Sequence, residues 1–151
     1  MHIAIADDFD LAKIARSGQC FRVKELEDGW FRFITGRNVL YIRQQSAGGF
    51  EVSCPEEIWQ RVWVPYFDLQ RSYSPVQEII PDSDSYMKLA AQEGRGIRIL
   101  RQDPWEMLVT FLISQRKSIP AIQHAVELLA DRFGAVVTTP YETVHTFPTA
   151  A

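Results

Sequence analysis

The segment from Asp103 to Gly134 constrains the fold of this chain most, because it reads as two helices joined by a short polar elbow. Asp103 can accept hydrogen bonds from the free amides of a first helical turn, where Pro104 needs no donor. The residues from Met107 to Ile113 are apolar except for Thr110, which predicts a helix buried on most of its circumference. Such a helix requires other elements packed around it.

The elbow between the two helices is polar and basic, with the sequence Ser114-Gln115-Arg116-Lys117-Ser118. Ser118 is predicted to cap the second helix, and Gly134 to end it. Apolar residues recur in that helix at three- and four-residue steps and predict one buried face: Ile119, Ile122, Val126, Leu129 and Phe133. The local pattern leaves two interpretations open, a solvated turn in an ordinary helical hairpin or a ligand site.

Composition excludes several classes of protein. Hydrophobic residues make up 46% of the 151 residues, which is enough for a core in one domain, or in one small domain plus part of another. The net charge of -3 argues against a protein that coats nucleic acid through its global charge. The two cysteines and three histidines show no metal-ligand or disulfide spacing, and no stretch approaches the ~20 apolar residues of a membrane span. We expect a soluble intracellular protein without metal or cofactor.

A region of aromatic and β-branched residues with alternating polarity lies between Cys20 and Cys54. Turn residues divide it into about four strands of an antiparallel meander: Cys20–Lys24, Trp30–Thr35, Val39–Gln44 and Phe50–Cys54. The preceding segment, Phe9–Ser17, predicts a short helix or turn. An aromatic stripe from Ile58 to Tyr66 predicts a helix that covers one face of the sheet.

Shorter helices are predicted further along the chain. One is expected at Val76–Ile80, and another follows a cap at Asp82 or Ser83 and ends at Gly94. Near the end of the sequence, Phe147 is expected to anchor a third short helix.

The chemistry-bearing side chains form no Ser/His/Asp, Cys/His or metal-ligand constellation. Glu106 follows Asp103 by three residues, as in a capping box, so both are most simply helix caps. Lys117 is either a surface lysine or an amine nucleophile. One dense basic group remains, which is either a solvated face or a nucleic-acid contact: Arg95, Arg98, Arg101, Arg116 and Lys117. These residues alone predict an α+β protein and assign no function.

Three separated strings carry a resemblance to a known family. They are Ser17-Gly18-Gln19-Cys20-Phe21-Arg22, then Tyr66-Phe67-Asp68-Leu69 with Arg71 and Tyr73, then Gly96-Ile97-Arg98-Ile99-Leu100-Arg101-Gln102-Asp103-Pro104-Trp105-Glu106. Together and in this order they resemble the 8-oxoguanine DNA glycosylases of the helix-hairpin-helix DNA glycosylase superfamily. The chain also resembles the bacterial 3-methyladenine DNA glycosylase II group of that superfamily. The match extends from about Phe9 to Phe147.

The resemblance implies an α+β fold in two parts. Residues 1–98 are expected to form an N-terminal domain with a twisted, TBP-like antiparallel sheet and flanking helices. Residues 99–151 are expected to form the first helices of an all-α helix-hairpin-helix glycosylase domain, which is incomplete here. In such enzymes the target nucleotide is flipped out of the duplex into a pocket, because the glycosidic carbon is inaccessible inside the base stack.

The resemblance also assigns roles to individual residues. Gly18 matches the glycine whose backbone carbonyl accepts the N7 hydrogen of 8-oxoguanine, a hydrogen that guanine lacks, and Phe21 is assigned with it to the lesion base. Gln115 and Arg116 are expected to fill the gap in the duplex or contact the opposite base. Lys117 and Ser118 are expected to contact phosphate.

Two departures from the family pattern leave the opposite base open. Arg116 aligns with an asparagine that occupies the space opposite the estranged cytosine, and Ala121 aligns with an arginine that contacts this cytosine. The elbow also suits an alkyl-base or broader-range glycosylase. The catalytic lysine and aspartate of the family are expected beyond Ala151, so no residue of this chain is assigned a catalytic role.

The predicted function is base-excision repair by the N-terminal part of a DNA N-glycosylase that excises 8-oxoguanine, with or without lyase activity. The 151 residues alone are predicted to be inactive. The alternatives are an alkylated-base glycosylase of the 3-methyladenine type and a non-catalytic DNA-damage-binding relic. The predicted partner is double-stranded DNA with a damaged base, and we expect a monomer with no membrane association, in the bacterial cytoplasm and on the nucleoid while it scans DNA.

Overall fold

The structure is a computed structural model that describes residues 1–150. Its α-helices are α1 (Leu11–Arg16), α2 (Glu56–Ile58), α3 (Val64–Tyr66), α4 (Pro75–Glu78), α5 (Ser85–Glu93), α6 (Pro104–Ser114) and α7 (Ile119–Phe133). Its strands are β1 (His2–Ala4), β2 (Lys24–Glu25), β3 (Trp30–Thr35), β4 (Asn38–Ser46), β5 (Gly49–Val52), β6 (Val136–Thr138) and β7 (Thr143–His145). The mixture of helices and antiparallel strands confirms the α+β class. Across residues 1–150, no helix is long and apolar enough to span a membrane.

The chain divides into two compact units. The first unit consists of Met1–Gln19 and Ile42–Arg101, and the second consists of Cys20–Tyr41 and the chain from Gln102 onward. Strand β4 begins in the second unit and ends in the first. The expected domain boundary between residues 98 and 99 stays a prediction.

The strands of the first unit are antiparallel and follow one another in the order β1, β5, β4. Ile3 of β1 lies opposite Phe50 of β5, and Ile42 of β4 lies opposite Val52. The register shifts between Gln44 and Ser46, where β4 carries an irregularity. β1 was missed by the sequence analysis because three residues are too few for a periodic pattern.

Aromatic residues fill the core of the first unit. Helices α2 and α3 are joined by a π-helical turn at Trp59–Trp63, so residues 56–66 form the helix that the aromatic stripe predicts. Trp63 and Phe67 are fully buried, and the ring of Phe9 meets Phe50 and Phe67 edge-on, at centroid distances of 5.2 and 5.3 Å. Edge-to-face contacts add specific geometry to the burial of apolar area.

A buried arginine connects several loops of the first unit. The guanidinium of Arg98 has no exposed surface, and it donates to the carbonyl oxygens of Phe67, Asp68 and Arg71. It also donates to the Asp7 carboxylate at 3.1 Å and to the carbonyl oxygen of Asp8 at 3.3 Å. A buried charge is tolerated only when its donors are satisfied in this way.

The Asp7 carboxylate in this network stays ionised. Burial raises its pKa, but hydrogen bonds from the backbone amides of Tyr73 and Asp8 and the pairing with Arg98 outweigh that effect, and its pKa falls from 3.8 to about 2. The ring of Tyr73 lies under the guanidinium, 4.0 Å from its Cζ to the ring centroid.

The second unit combines two short strand pairs with the two long helices. β2 pairs antiparallel with β3, with Lys24 opposite Arg32, and β6 pairs antiparallel with β7. The core is formed by the buried residues Ile122, Val126 and Phe147, against which further side chains pack: Phe21, Val109, Ile113 and Leu129. The predicted buried face of α7 is therefore confirmed at Ile122 and Val126, and it is wrong at Ile119 and Phe133, which are 54% and 69% exposed.

The expectation that α6 is buried on most of its circumference is wrong for these residues. Leu108 is 53% exposed, and Phe111 and Leu112 are each 62% exposed. The buried residues of the helix are instead Glu106 and Thr110. A run of apolar residues predicts burial only if other chain is available to cover it, and residues 1–150 leave this side uncovered.

Three local predictions also need correction. The cap of α5 is Asp84, whose carboxylate accepts the amide of Met87, so the cap lies beyond the two expected positions. The expected third short helix near Phe147 is absent from residues 1–150, because β6 and β7 form a hairpin just before it. Ser118 occupies the N-cap position of α7 but makes no side-chain capping bond.

Replacing Arg98 should destabilise the first unit strongly. Arg98→Met keeps the bulk of the side chain but leaves the Asp7 carboxylate and the carbonyl oxygens of the network without their donor. We expect the free energy of unfolding to fall by about 3 kcal/mol in urea titrations at pH 7. Arg95→Met, at an exposed arginine that pairs with Asp8, serves as the control and should stay close to wild type. Equal losses in the two variants would contradict the role of Arg98.

Candidate functional site

The loop at Gly18 follows directly on the end of α1. Asp10 caps the start of this helix by accepting the amide of Lys13, and Ser17 closes it by donating its hydroxyl to the carbonyl oxygen of Ile14 at 2.8 Å. Gly18 has φ +78°, a conformation that L side chains rarely adopt. A Cβ placed on Gly18 would meet no heavy atom within 4 Å. Backbone conformation, and not crowding, therefore requires glycine here, and the space beside it is open.

Gln19 ties this loop to a distant segment of the first unit. Its side-chain Nε2 donates to the carbonyl oxygen of Arg98 at 2.9 Å, and its Oε1 accepts the amide of Leu100 at 3.0 Å. The same Nε2 lies 3.0 Å from the hydroxyl of Ser17. The two residues that flank Gly18, Ser17 and Gln19, are thus both hydrogen-bonded. No role was predicted for Gln19.

A close backbone contact with Asp10 holds the turn at Gly96 in place. The amide of Asp10 donates to the carbonyl oxygen of Gly96 at 2.8 Å, and a Cβ on Gly96 would lie 2.6 Å from the Cβ of Asp10. Gly96 has φ +89°. Both the backbone conformation and the space therefore require glycine, which gives Gly96 a structural role beyond the expected helix end at Gly94.

Phe21, the other residue assigned to the lesion base, belongs to the second unit. Its ring is partly buried and packs against the core cluster of Ile122, Val126 and Phe147. Gly18 and Phe21 are three residues apart in the chain and lie in different compact units. The assignment of both to a lesion base stays a prediction.

The elbow between α6 and α7 is exposed. Arg116 has φ +58°, which is uncommon for a residue other than glycine. Gln115 lies at the end of α6, and the amide of Lys117 donates to the carbonyl oxygen of Ser114 at 3.2 Å. Both Arg116 and Lys117 are exposed, and within residues 1–150 their side chains form no salt bridge.

The other three residues of the basic group are neutralised in the first unit. Arg98 is buried in the network described above, Arg95 pairs with Asp8 at 2.8 Å, and Arg101 pairs with Asp68 at 2.7 Å. The interpretation of these arginines as a solvated basic face is therefore wrong for Arg98, which is buried. Arg95 and Arg101 are exposed, but each of them is paired with a carboxylate.

A cluster of charged residues in the second unit includes the buried side chains of Glu106 and Arg22. The backbone amide of Glu106 is capped by the Asp103 carboxylate at 2.9 Å, which confirms the predicted helix start. The Glu106 side chain itself is buried, whereas a capping residue would be at the surface. Burial raises its pKa from 4.5 to about 7; the positive charge of Arg22 opposes this shift, and Asp103 and Glu127 add to it.

Arg22 is the cation of this cluster and is itself 1% exposed. Its Nε donates to the Glu127 carboxylate at 3.0 Å, and one terminal nitrogen donates to the carbonyl oxygen of His145 at 2.6 Å. The other terminal nitrogen, Nη1, is buried and has no hydrogen-bond partner among residues 1–150. The sequence carries no signal for this cluster, because its members are far apart in the chain and none has unusual spacing.

The stability of the chain should depend on the protonation of Glu106. Since its pKa is raised in the folded chain, the unfolded chain loses this proton first as the pH rises from about 4.5 to about 7. The free energy of unfolding should therefore fall across this window, by on the order of 2 to 3 kcal/mol. Glu106→Gln mimics the protonated carboxyl and should remove this fall in urea titrations between pH 4.5 and 8.

The matched control is Glu57→Gln, at a carboxylate whose side chain is 81% exposed. It should keep the wild-type pH dependence. If Glu106→Gln also keeps it, the raised pKa of Glu106 is wrong.

Comparison with known protein families matches residues 2–108 to the 8-oxoguanine DNA glycosylase, N-terminal domain. An N-glycosylase/DNA lyase of Saccharomyces cerevisiae is 39% identical over 72 residues, which cover 47% of this chain and 18% of the relative.

Solved structures extend the similarity over nearly the whole chain. The structure of MBOgg1 in complex with a low-affinity DNA ligand has a TM-score of 0.90 and 35% identity, and covers 97% of this chain and 50% of that one. The Clostridium acetobutylicum 8-oxoguanine glycosylase/lyase, in complex with dsDNA containing cytosine opposite 8-oxoG, has a TM-score of 0.86 and 31% identity, and covers 99% and 54%. This chain thus spans about half the length of these solved relatives.

A more distant structure shares the fold alone. The 3-methyladenine DNA glycosylase from Archaeoglobus fulgidus has a TM-score of 0.69 at 16% identity.

Proposed function

The chain belongs to the 8-oxoguanine DNA glycosylase family through the N-terminal domain that its residues 2–108 match, and on this premise we propose that it takes part in base-excision repair of oxidised guanine. In this proposal the 151 residues recognise the lesion and contact the opened duplex. The observation that carries it is the geometry of the Gly18 loop, where a backbone with positive φ faces open space and both neighbouring residues are held by hydrogen bonds.

Lesion recognition is proposed to depend on one hydrogen bond. In 8-oxoguanine the N7 atom carries a hydrogen and can donate to the backbone carbonyl of Gly18, whereas N7 of guanine is an acceptor. Guanine in the same position would bring two acceptors together and leave both without a donor, which costs far more than losing a favourable contact. Phe21 is proposed to contribute to the binding of the same base through its ring.

The elbow is proposed to contact the DNA from which the lesion has been flipped. Gln115 and Arg116 fill the gap in the base stack, and the guanidinium of Arg116 donates to the acceptor atoms of the opposite base. Lys117 and Ser118 contact phosphate. This proposal is supported by the exposure of the elbow and by the absence of salt bridges at Arg116 and Lys117 within residues 1–150.

The finer features of the fold are part of the same proposal. We propose that residues 1–98 correspond to a TBP-like domain, and that residues 99–151 begin a helix-hairpin-helix glycosylase domain. The exposed apolar side of α6, formed by Leu108, Phe111 and Leu112, is proposed to be covered by further helices of such a domain. The solved relatives, which are about twice as long as this chain, support this occupant.

The proposed partner is double-stranded DNA that contains a damaged base, bound by a monomer without a cofactor. The proposed location is the cytoplasm, with association with the nucleoid while the protein scans DNA. One matched relative is from Saccharomyces cerevisiae, so the expectation of a bacterial source stays a prediction.

The second candidate function is damage binding without catalysis. It would use the same Gly18 loop and the same elbow as the first candidate. The two candidates differ in whether the glycosidic bond is broken by any protein that contains this chain.

Residues 1–151 are expected to leave lesion DNA uncut. Incubation of the purified chain with a duplex that contains one 8-oxoguanine should give no strand cleavage above background, before or after alkali treatment. Neither the nucleophile that attacks the sugar nor the carboxylate that stabilises its developing positive charge is assigned to a residue here. A matched solved relative, the Clostridium acetobutylicum glycosylase/lyase, is the positive control. Turnover by residues 1–151 would refute this expectation.

A phosphate contact at the elbow should contribute to the salt dependence of duplex binding. If Lys117 contacts one phosphate, Lys117→Ala should reduce the slope of log K against log salt concentration by about 0.9. Fluorescence anisotropy between 50 and 200 mM salt measures this slope. Arg61→Ala removes a charge that is also exposed, on the helix from Glu56 to Tyr66, and should leave the slope unchanged. Equal slopes for both variants would contradict the proposed role of the elbow.

A further inference from the structure

The amide of Gln19 is hydrogen-bonded through both of its polar atoms, immediately beside Gly18. Nε2 donates to the carbonyl oxygen of Arg98 and Oε1 accepts the amide of Leu100, at 2.9 and 3.0 Å. These two partners belong to one segment that is about 80 residues away in the chain. The side chain therefore takes the place that a neighbouring strand would take in a sheet, with one donor and one acceptor matched to the backbone.

We propose that Gln19 is a positioning residue that fixes the direction of the Gly18 carbonyl and thereby sets the preference for an oxidised purine. The proposal rests on the proposed function of Gly18 as the acceptor for the lesion. Gln19 acts through Gly18 and does not contact the base itself.

Glycine makes such a clamp necessary. Gly18 has no Cβ to restrict φ and ψ, and no heavy atom lies within 4 Å of the position where a Cβ would be. Its carbonyl would be free to rotate if only one side of the residue were held. Ser17 holds the preceding side through the carbonyl oxygen of Ile14, and Gln19 holds the following side. A fixed carbonyl loses less entropy when it accepts a hydrogen bond from a ligand.

The anchor of the clamp is rigid because of the arginine network. The carbonyl oxygen that Gln19 binds is that of Arg98, whose side chain is fully buried and bonded to the carbonyl oxygens of Phe67, Asp68 and Arg71. The next residue is held as well, since the amide of Ile99 donates to the hydroxyl of Tyr73 at 3.2 Å. Gln19 therefore connects Gly18 to the buried arginine network of the first unit.

Only glutamine provides both hydrogen bonds at this length. In Gln19→Glu the acceptor for Leu100 remains, but a carboxylate oxygen replaces the donor and faces the carbonyl oxygen of Arg98. In Gln19→Met the shape of the side chain is kept and both hydrogen bonds are lost. The matched control is Gln60→Met, at an exposed glutamine that bonds only to Glu56 in its own helical segment.

The test uses residues 1–151 and measures the clamp and the preference separately. Carbon-13 labelling of the Gly18 carbonyl and hydrogen exchange of the Leu100 amide report on the clamp by NMR. Fluorescence anisotropy with duplexes that contain 8-oxoguanine or guanine reports on the preference. We expect Gln19→Met to shift the Gly18 carbonyl signal and speed Leu100 exchange. It should reduce the preference for 8-oxoguanine roughly fivefold, the equivalent of one hydrogen bond, with little change in affinity for the guanine duplex.

Gln19→Glu and Gln19→Met are expected to differ in their effect on the Leu100 amide. Gln19→Glu should keep the Leu100 amide protected while it shifts the Gly18 carbonyl signal, and it carries the test if Gln19→Met does not fold. An unchanged Gly18 carbonyl signal in the folded variants overturns the proposal, as does an equal loss of affinity for both duplexes. If the wild-type chain shows no preference for 8-oxoguanine, the proposed function of Gly18 fails together with the specificity role, and the carbonyl signal alone decides whether Gln19 positions the loop.

Discussion

The burial of one guanidinium is the interaction on which the first unit depends. Arg98 is surrounded by backbone carbonyl oxygens and by the Asp7 carboxylate, and its positive charge is stable there only because these partners satisfy it together. The loops around Arg98 depend on the arginine in turn. The segments after β1 and after α3 have no regular secondary structure of their own to satisfy their carbonyl oxygens, so the arginine orders them. The loop at Gly18 depends on this network through Gln19, which bonds to the backbone of Arg98.

The second unit also buries polar side chains, and part of the apolar surface of α6 is exposed. Glu106 is buried beside Arg22 and Glu127, and the hydroxyl of Thr110 bonds back to the carbonyl oxygen of Glu106 at 2.8 Å. The apolar residues Leu108, Phe111 and Leu112 of α6 are exposed instead. A helix with this arrangement turns polar side chains towards the interior of the unit and leaves part of its apolar surface exposed. This surface and the open elbow that follows it are the two features of the unit that the proposed function uses.

Local features were predictable where neighbouring residues determine them. The Asp103 cap, the ends of α6 and α7 and the strands β3, β4 and β5 follow from residues close together in the chain. The predicted strand Cys20–Lys24 is wrong except at Lys24, where β2 begins. The wrong predictions concern positions where several neighbouring residues suit the same role, or where the conformation depends on residues far away in the chain. Asp84, and not Asp82 or Ser83, caps α5 because all three residue types suit a cap. The hairpin of β6 and β7 replaced an expected helix, since pairing of two short strands depends on their partner and not on their own pattern.

The sequence by itself determined the α+β class, the capped start of α6, the basic elbow and the glycine at position 18, because each of these depends on backbone preferences or on residues close together in the chain. Tertiary structure alone decided which cations are free. Arg95, Arg98 and Arg101 look equivalent to Arg116 and Lys117 in the sequence, yet the first three are matched with carboxylates or carbonyl oxygens from distant segments. The same holds for Gln19, whose two partners are about 80 residues away. Charge and hydrogen-bonding capacity are properties of a residue, but whether they are satisfied is a property of the folded chain.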